Sequence, residues 1–128
     1  MVRRQWGQPP FYLHKLVHDT WLPNACAVEV DGATNRVEGR ASAQISDDGK
    51  RIVVRYVNQS PVAETLTLNI TGFVVASSCQ LWTYQSDDLT MANTPSEPQM
   101  LIPSVSAVPS SSLANLTVKM RSIVTVVC

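Results

Sequence analysis

The 128-residue sequence predicts an all-β fold, an antiparallel β-sandwich of jelly-roll type carrying one short N-terminal α-helix. Three observations lead there. From Cys26 onward apolar residues recur with a period of two, the spacing that lines one face of a strand. Short β-branched runs are separated by turn residues at intervals of roughly ten positions. A helical period of three and four occurs ahead of Pro23 and is not repeated, which argues against an α/β plan. The length suits one domain able to bury its own core.

The helix comes first. After Pro9-Pro10, the residues Leu13, Leu16, Val17, Thr20 and Trp21 fall on one face of an amphipathic helix. Proline is favourable in the first turn, and Pro23 is a stop. That apolar face is large for so short an element and needs a partner surface. Residues 1–23 are therefore read as a terminal helical unit and 24–128 as the sandwich. Strands are expected over 26–30, 41–46, 51–57, 64–70, 80–84 and 116–127. Within 64–70, Thr65, Thr67 and Asn69 alternate with Leu66, Leu68 and Ile70, a wet face against a buried one. Asp47-Asp48-Gly49-Lys50 joins Ile45 to Ile52 with the chemistry of a tight hairpin, because Asp-Gly accepts positive backbone angles. From 86 to 112, Pro95, Pro98, Pro103 and Pro109 remove backbone donors and bar a central strand. A long loop is expected there, with Ser110-Ser111-Ser112 as its mobile tail.

Ten basic and ten acidic residues leave no net charge, so the attraction that drives binding to nucleic acid or an anionic membrane is missing and neither partner is expected. The longest apolar runs, 72–76 and 123–127, are far short of a membrane span. Residues 1–10 carry Arg3 and Arg4 without the apolar stretch of an export signal. Asn58-Gln59-Ser60, Asn69-Ile70-Thr71 and Asn115-Leu116-Thr117 nevertheless fit the N-glycosylation pattern. A chain that is the end part of a longer secreted precursor reconciles the two, and an extracellular or secretory location is expected. Cys26, Cys79 and Cys128 allow at most one internal disulfide. With no Cys-x-x-Cys pair, they do not form a zinc or thioredoxin-like motif.

Candidate chemistry is sparse. Acid/base and nucleophilic work by a carboxylate pair needs two carboxyl groups about 5 Å apart with opposed pKa shifts. Asp47-Asp48 belongs to a turn and Asp87-Asp88 to the start of the proline loop, where both pairs are solvated. Glu29, Glu38, Glu64 and Glu97 are scattered. No catalytic residue is assigned. His14 and His18 share a helix face at the spacing of zinc proteases, but Lys15 stands where such a motif has its glutamate and no third ligand is in view, so no metal is expected. No Gly-rich phosphate loop or Gly-x-Ser-x-Gly elbow occurs, and no cofactor is expected. Trp6, Trp21, Trp82 and Tyr84 have faces that could stack on sugars. Trp82 and Tyr84, two apart on one strand, share a face suited to a core layer or to a platform for polysaccharide.

The segment Asp87-Asp88-Leu89-Thr90-Met91-Ala92-Asn93-Thr94-Pro95-Ser96-Glu97-Pro98, followed by Ile102-Pro103, resembles a stretch near the C-terminus of α-L-arabinofuranosidases, with Leu-x-x-x-Asn-x-x-x-x-Pro-x-x-x-x-Pro spacing. Gln8-Pro9-Pro10-Phe11-Tyr12-Leu13-His14-Lys15-Leu16 likewise resembles the last barrel helix of that family, and 118–127 its closing strand. The resemblance implies a C-terminal sandwich that packs in cis beside a (β/α)₈ barrel. That barrel holds an acid/base and a nucleophilic glutamate, neither of which has a counterpart in this chain. It thus implies a non-catalytic accessory domain. The rival expectation is a free-standing carbohydrate-binding or cell-surface module, and a third is an independent small enzyme.

Overall fold

The computed structural model describes residues 9–29, 41–85 and 103–128. Among them α1 (Pro9–Asp19) is followed by eight strands: β1 (Asn24–Ala25), β2 (Ala41–Ile45), β3 (Ile52–Asn58), β4 (Glu64–Leu66), β5 (Ser78–Gln85), β6 (Ser104–Pro109), β7 (Leu116–Val118) and β8 (Ser122–Val127). A 3₁₀ turn over Ser110–Ala114 links β6 to β7. The strands form two layers, a sheet in the order β1-β2-β3-β8-β5-β6 and a smaller one of β4 and β7. Every pairing is antiparallel. The fold is the all-β sandwich the sequence predicts.

Alternation decides which side chains fill the space between the layers. On β3 and β8, Val54 and Tyr56 stand opposite Val126 and Val124 and point inward. Leu116 and Val118 of β7, at 5 % and 1 % exposure, point back at them. Leu66, Leu68 and Ile70 complete the floor. The register places Gln80 opposite Val127, so the next pair outward is Cys79 with Cys128. These two form a disulfide with their Cα atoms 4.6 Å apart, inside the core. Cys26 is free and half-buried.

The β2–β3 hairpin turns where expected. Gly49 takes φ 71° and its N–H donates to the Ser46 carbonyl at 3.0 Å, while Ser46 N–H donates to Arg51 O at 2.9 Å. The Asp48 carboxylate accepts from the Ser46 hydroxyl and the Lys50 N–H. These bonds hold its pKa below the ordinary value, the hydroxyl most strongly.

Four expectations are corrected. Of the strand expected at 26–30, the described residues 26–29 lie outside any strand: the ladder with β2 holds Asn24 and Ala25, and Cys26 N–H still donates to Ala43 O at 2.9 Å, while Val30 lies outside the described residues. The strand expected at 64–70 ends at Leu66, although Leu68 N–H still donates to Leu113 O at 2.8 Å. The single strand expected over 116–127 is broken at 119–121, with Arg121 at φ 47°, and its halves join different sheets. The end of the expected loop is ordered: β6 is an edge strand that starts after Pro103 and ends at Pro109, positions where a missing donor is harmless. Ser110–Ala114 then coils so that Leu113 reaches the core at 4 % exposure, which is why the serines there are not a free tail. The remainder of the proline loop, with Pro95 and Pro98, lies outside the described residues.

Candidate functional site

The outer face of the large sheet, away from β4 and β7, carries the candidate residues. Register aligns Trp82 of β5 with Thr125 of β8, and Thr125 with Arg55 of β3. Tyr84 stands two residues along from Trp82, opposite Ile123. Trp82 and Tyr84 therefore share a face, as the sequence suggests, and it is the face remote from the sandwich core. Both rings are half-buried.

Arg55 seats α1 on this face. Its guanidinium donates to Thr20 Oγ1 at 2.9 Å, Thr20 O at 3.3 Å, Val17 O at 3.4 Å and Gln44 Oε1 at 2.8 Å. A cation at the carboxyl end of a helix satisfies carbonyls that have no intrahelical donor and opposes the negative end of the helix dipole. Burial pulls Arg55 below the ordinary arginine value. Leu16 and Thr20 turn inward at 6 % and 9 % exposure, whereas Phe11 and Trp21 stay 55 % and 61 % exposed. Trp21 thus does not close the inner helix face: the helical hydrogen bonding runs out at Thr20 and Trp21, whose N–H groups bond back to Leu16 and His18.

Between α1 and the sheet lies a cavity of about 370 Å³ bordered by Leu16, Asp19, Arg51, Gln80 and Trp82. Three inaccessible polar atoms on this face, Trp82 Nε1, Tyr84 Oη and Arg55 Nε, have no hydrogen-bond partner among the described residues. Buried indole and phenol donors ordinarily find one. Burial raises the Tyr84 pKa.

Other candidates are dispersed. Asp19 on α1 binds Lys15 at 2.6 Å and lies 3.4 Å from His18 Nδ1, and these bonds lower its pKa, Lys15 first. Asp47 accepts from Asn24 Nδ2 at 2.9 Å, and Glu64 from the Tyr56 hydroxyl at 2.6 Å. Those carboxylates sit on the helix, in the hairpin turn and on the small sheet respectively. His14 and His18 are exposed, and no group of three His, Cys, Asp or Glu side chains gathers among the described residues. No helix among them is long and apolar enough to cross a membrane. Trp6, Glu38, Asp87, Asp88 and Glu97 lie outside the described residues, as does 87–98, the core of the arabinofuranosidase-like segment.

The three acceptor asparagines part company. Asn69 and Asn115 are exposed. Asn58 is 1 % exposed, and its Nδ2 donates to the carbonyls of Val62, Val118 and Lys119 at 3.1, 3.4 and 3.0 Å. Its Oδ1 accepts from Ser60 N–H at 2.9 Å. The pattern match at Asn58 is a side chain tying three backbone segments together, and in the folded chain its amide is not presented to solvent. Neither this tie nor the Arg55 seat was singled out from sequence. Polar residues at strand positions, Arg55 within 51–57 and Asn58 just beyond it, were the available signal.

No protein-family profile matches the chain, and no curated protein does. Solved structures do. The chain is similar to an arabinose-bound GH51 α-L-arabinofuranosidase with a TM-score of 0.77 and 20 % identity, over 95 % of this chain and 19 % of that one. It is similar to the family 51 α-L-arabinofuranosidase of Bifidobacterium longum with a TM-score of 0.70 and 16 % identity, over 95 % and 26 %. The GH51 α-L-arabinofuranosidase of Thermotoga petrophila gives 0.62 and 21 %, over 69 % and 18 %. A coverage of 95 % leaves too few residues aside to omit α1, so the likeness extends to helix and sandwich together. The chain spans only 19 % and 26 % of the two enzymes matched over nearly its whole length, and it has the fold of that part of them.

Proposed function

We propose that this chain is the C-terminal accessory sandwich of an α-L-arabinofuranosidase-like glycoside hydrolase, with the activity on terminal α-L-arabinofuranosides of plant-type polysaccharides residing in a catalytic barrel joined to it in cis. The observation that carries the reading is the shared fold over α1 and the sandwich with enzymes several times longer. In this reading residues 1–23 end the barrel and 24–128 form the sandwich. Two features of the chain support a partner on the α1 side. Phe11, in the first turn of α1, and Trp21, just beyond its end, stay 55 % and 61 % exposed. Trp82 Nε1, Tyr84 Oη and Arg55 Nε lack partners among the described residues. The buried Cys79–Cys128 bridge suits an oxidising compartment and supports a secreted parent.

The test is the size of the native polypeptide, detected with an antibody to this domain in deglycosylated extract and medium. A band several times larger than 14.0 kDa supports the accessory-domain reading, and a band at its own mass overturns it. The isolated chain is expected to leave nitrophenyl arabinofuranoside intact, and hydrolysis would make it an enzyme in its own right.

The rival, a free-standing carbohydrate-binding module, draws on one observation: Trp82 borders the cavity beside the polar Gln80, Lys15 and Asp19. An aromatic wall with polar groups at its edge suits a sugar ring. A saturable tryptophan-fluorescence change with arabinan or arabinoxylan fragments supports the rival, and its absence removes it.

A further inference from the structure

We propose that Asn69 and Asn115 are a paired N-glycan site that covers the outer face of the small sheet, while the third acceptor motif, at Asn58, stays unmodified in the folded protein. The inference rests on the secretory reading above. It follows from where the folding chain sends three equivalent motifs.

β4 and β7 pair with Glu64 opposite Val118, Thr65 opposite Thr117 and Leu66 opposite Leu116. Beyond the paired strands the two segments stay together, with Leu68 N–H donating to Leu113 O and Thr67 Oγ1 to Ala114 O at 2.9 Å. Alternation then does the sorting. Leu66, Leu68, Leu113, Leu116 and Val118 face the large sheet, and Thr65, Thr67, Asn69, Asn115 and Thr117 are exposed. Asn69 and Asn115 thus lie close along two neighbouring segments, each followed two positions later by an exposed threonine, Thr71 and Thr117. This face is on the opposite side of the sandwich from α1. Glycans there leave the α1 side free for a partner domain.

Modification joins the asparagine amide nitrogen to C1 of an oligosaccharide carried on a polyprenyl pyrophosphate. The N–C1 bond forms, the bond from C1 to the pyrophosphate oxygen breaks, the lipid pyrophosphate leaves, and the amide gives up one proton. The product amide has a single N–H and a sugar in place of the other. Asn69 and Asn115 tolerate that change because both amides face water. Asn58 does not, since its side chain is 1 % exposed and its Nδ2 serves the carbonyls of Val62, Val118 and Lys119. A chain modified at Asn58 loses the tie and is not among the folded, exported molecules.

The experiment routes the full chain through a eukaryotic secretory pathway behind a cleavable export signal. Folded protein from the medium is treated with a glycan-removing amidase in heavy-oxygen water, which converts each glycosylated asparagine to a labelled aspartate, and its peptides are mapped by mass. Label at positions 69 and 115 and none at 58 is expected, and Asn69→Gln and Asn115→Gln should each lose one glycan while keeping the parent's urea midpoint. Label at 58, or a bare asparagine at 69 or 115, overturns the proposal. Because the signal is supplied, this result does not depend on where the protein naturally resides; glycan content at the native source tests that separately.

Discussion

Replacing Asn58 tests whether one buried amide holds the two sheets in register. Asn58 ends β3, while Val62 precedes β4, Val118 closes β7 and Lys119 follows it. One side chain therefore bridges the large sheet, the crossing to the small sheet and the crossing back. Asn58→Ala removes two good hydrogen bonds to carbonyls, a longer one to Val118 O and the acceptor of Ser60 N–H. At about 1 kcal/mol net for each well-formed bond, the loss is about 3 kcal/mol. With a urea slope of about 1.5 kcal/mol/M for a domain of this size, the midpoint should fall by about 2 M. Asn58→Asp keeps the shape but turns an acceptor oxygen toward the carbonyls that the Nδ2 donor served, so its charged form is disfavoured in the folded state. The folded pKa of the new carboxyl is raised, and the folded state binds the proton more tightly. Its penalty is therefore present above the folded pKa and relieved as pH falls, disappearing below the unfolded value of about 3.9. Urea midpoints of parent and variants at pH 7 and pH 3.5, followed by far-ultraviolet circular dichroism with the disulfide intact, measure both effects. A fall for Asn58→Ala under about 0.7 M, or an Asn58→Asp variant no closer to the parent at low pH, would refute the role.

Arg55→Met should release α1 and leave the sheets standing: hydrogen exchange over 13–20 should lose protection worth about 2 kcal/mol, the scale of hydrogen bonds to a charged donor, while β3 and β8 keep theirs. Replacing both Cys79 and Cys128 with alanine frees a loop spanning 49 positions, and the chain-entropy account predicts a stability loss of about 4 kcal/mol by urea titration. Gly49→Ala meets no atom within 4 Å but must hold φ near +71°, so it should cost about 1 kcal/mol through the backbone alone. The Asp48 carboxyl has a depressed folded pKa, so its contribution is present above the ordinary value of 3.8 and lost as pH falls through the folded one. Asp48→Asn should accordingly reduce the loss of stability on acidification, read from urea midpoints between pH 5 and pH 2.5.

Local chemistry determined a good part of this molecule. The alternation in 51–57, the Asp-Gly turn and the helical spacing from Leu13 to Thr20 each need only a few neighbouring residues, and each element formed where its pattern lies. The shared face of Trp82 and Tyr84 follows from strand geometry in the same way. What sequence left open was which way each face turns. Thr125 and Trp82 could line a core or a surface, and the decision fell to the small sheet, which packs on the opposite side of β5 and β8. Sequence read 116–127 as one strand because 116–118 and 122–127 both suit extended backbone. Only the tertiary structure divides them, since Leu116 and Val118 are needed above the core and Val124 and Val126 below it. The Cys79–Cys128 pairing is a consequence of register between β5 and β8, a non-local quantity. The same holds for Asn58 and Asn69, which carry one short motif in common and differ in fate because one closes the space between layers and the other faces water. A pattern three residues long records chemical capacity, and burial by residues sixty positions away determines whether that capacity is ever presented to solvent.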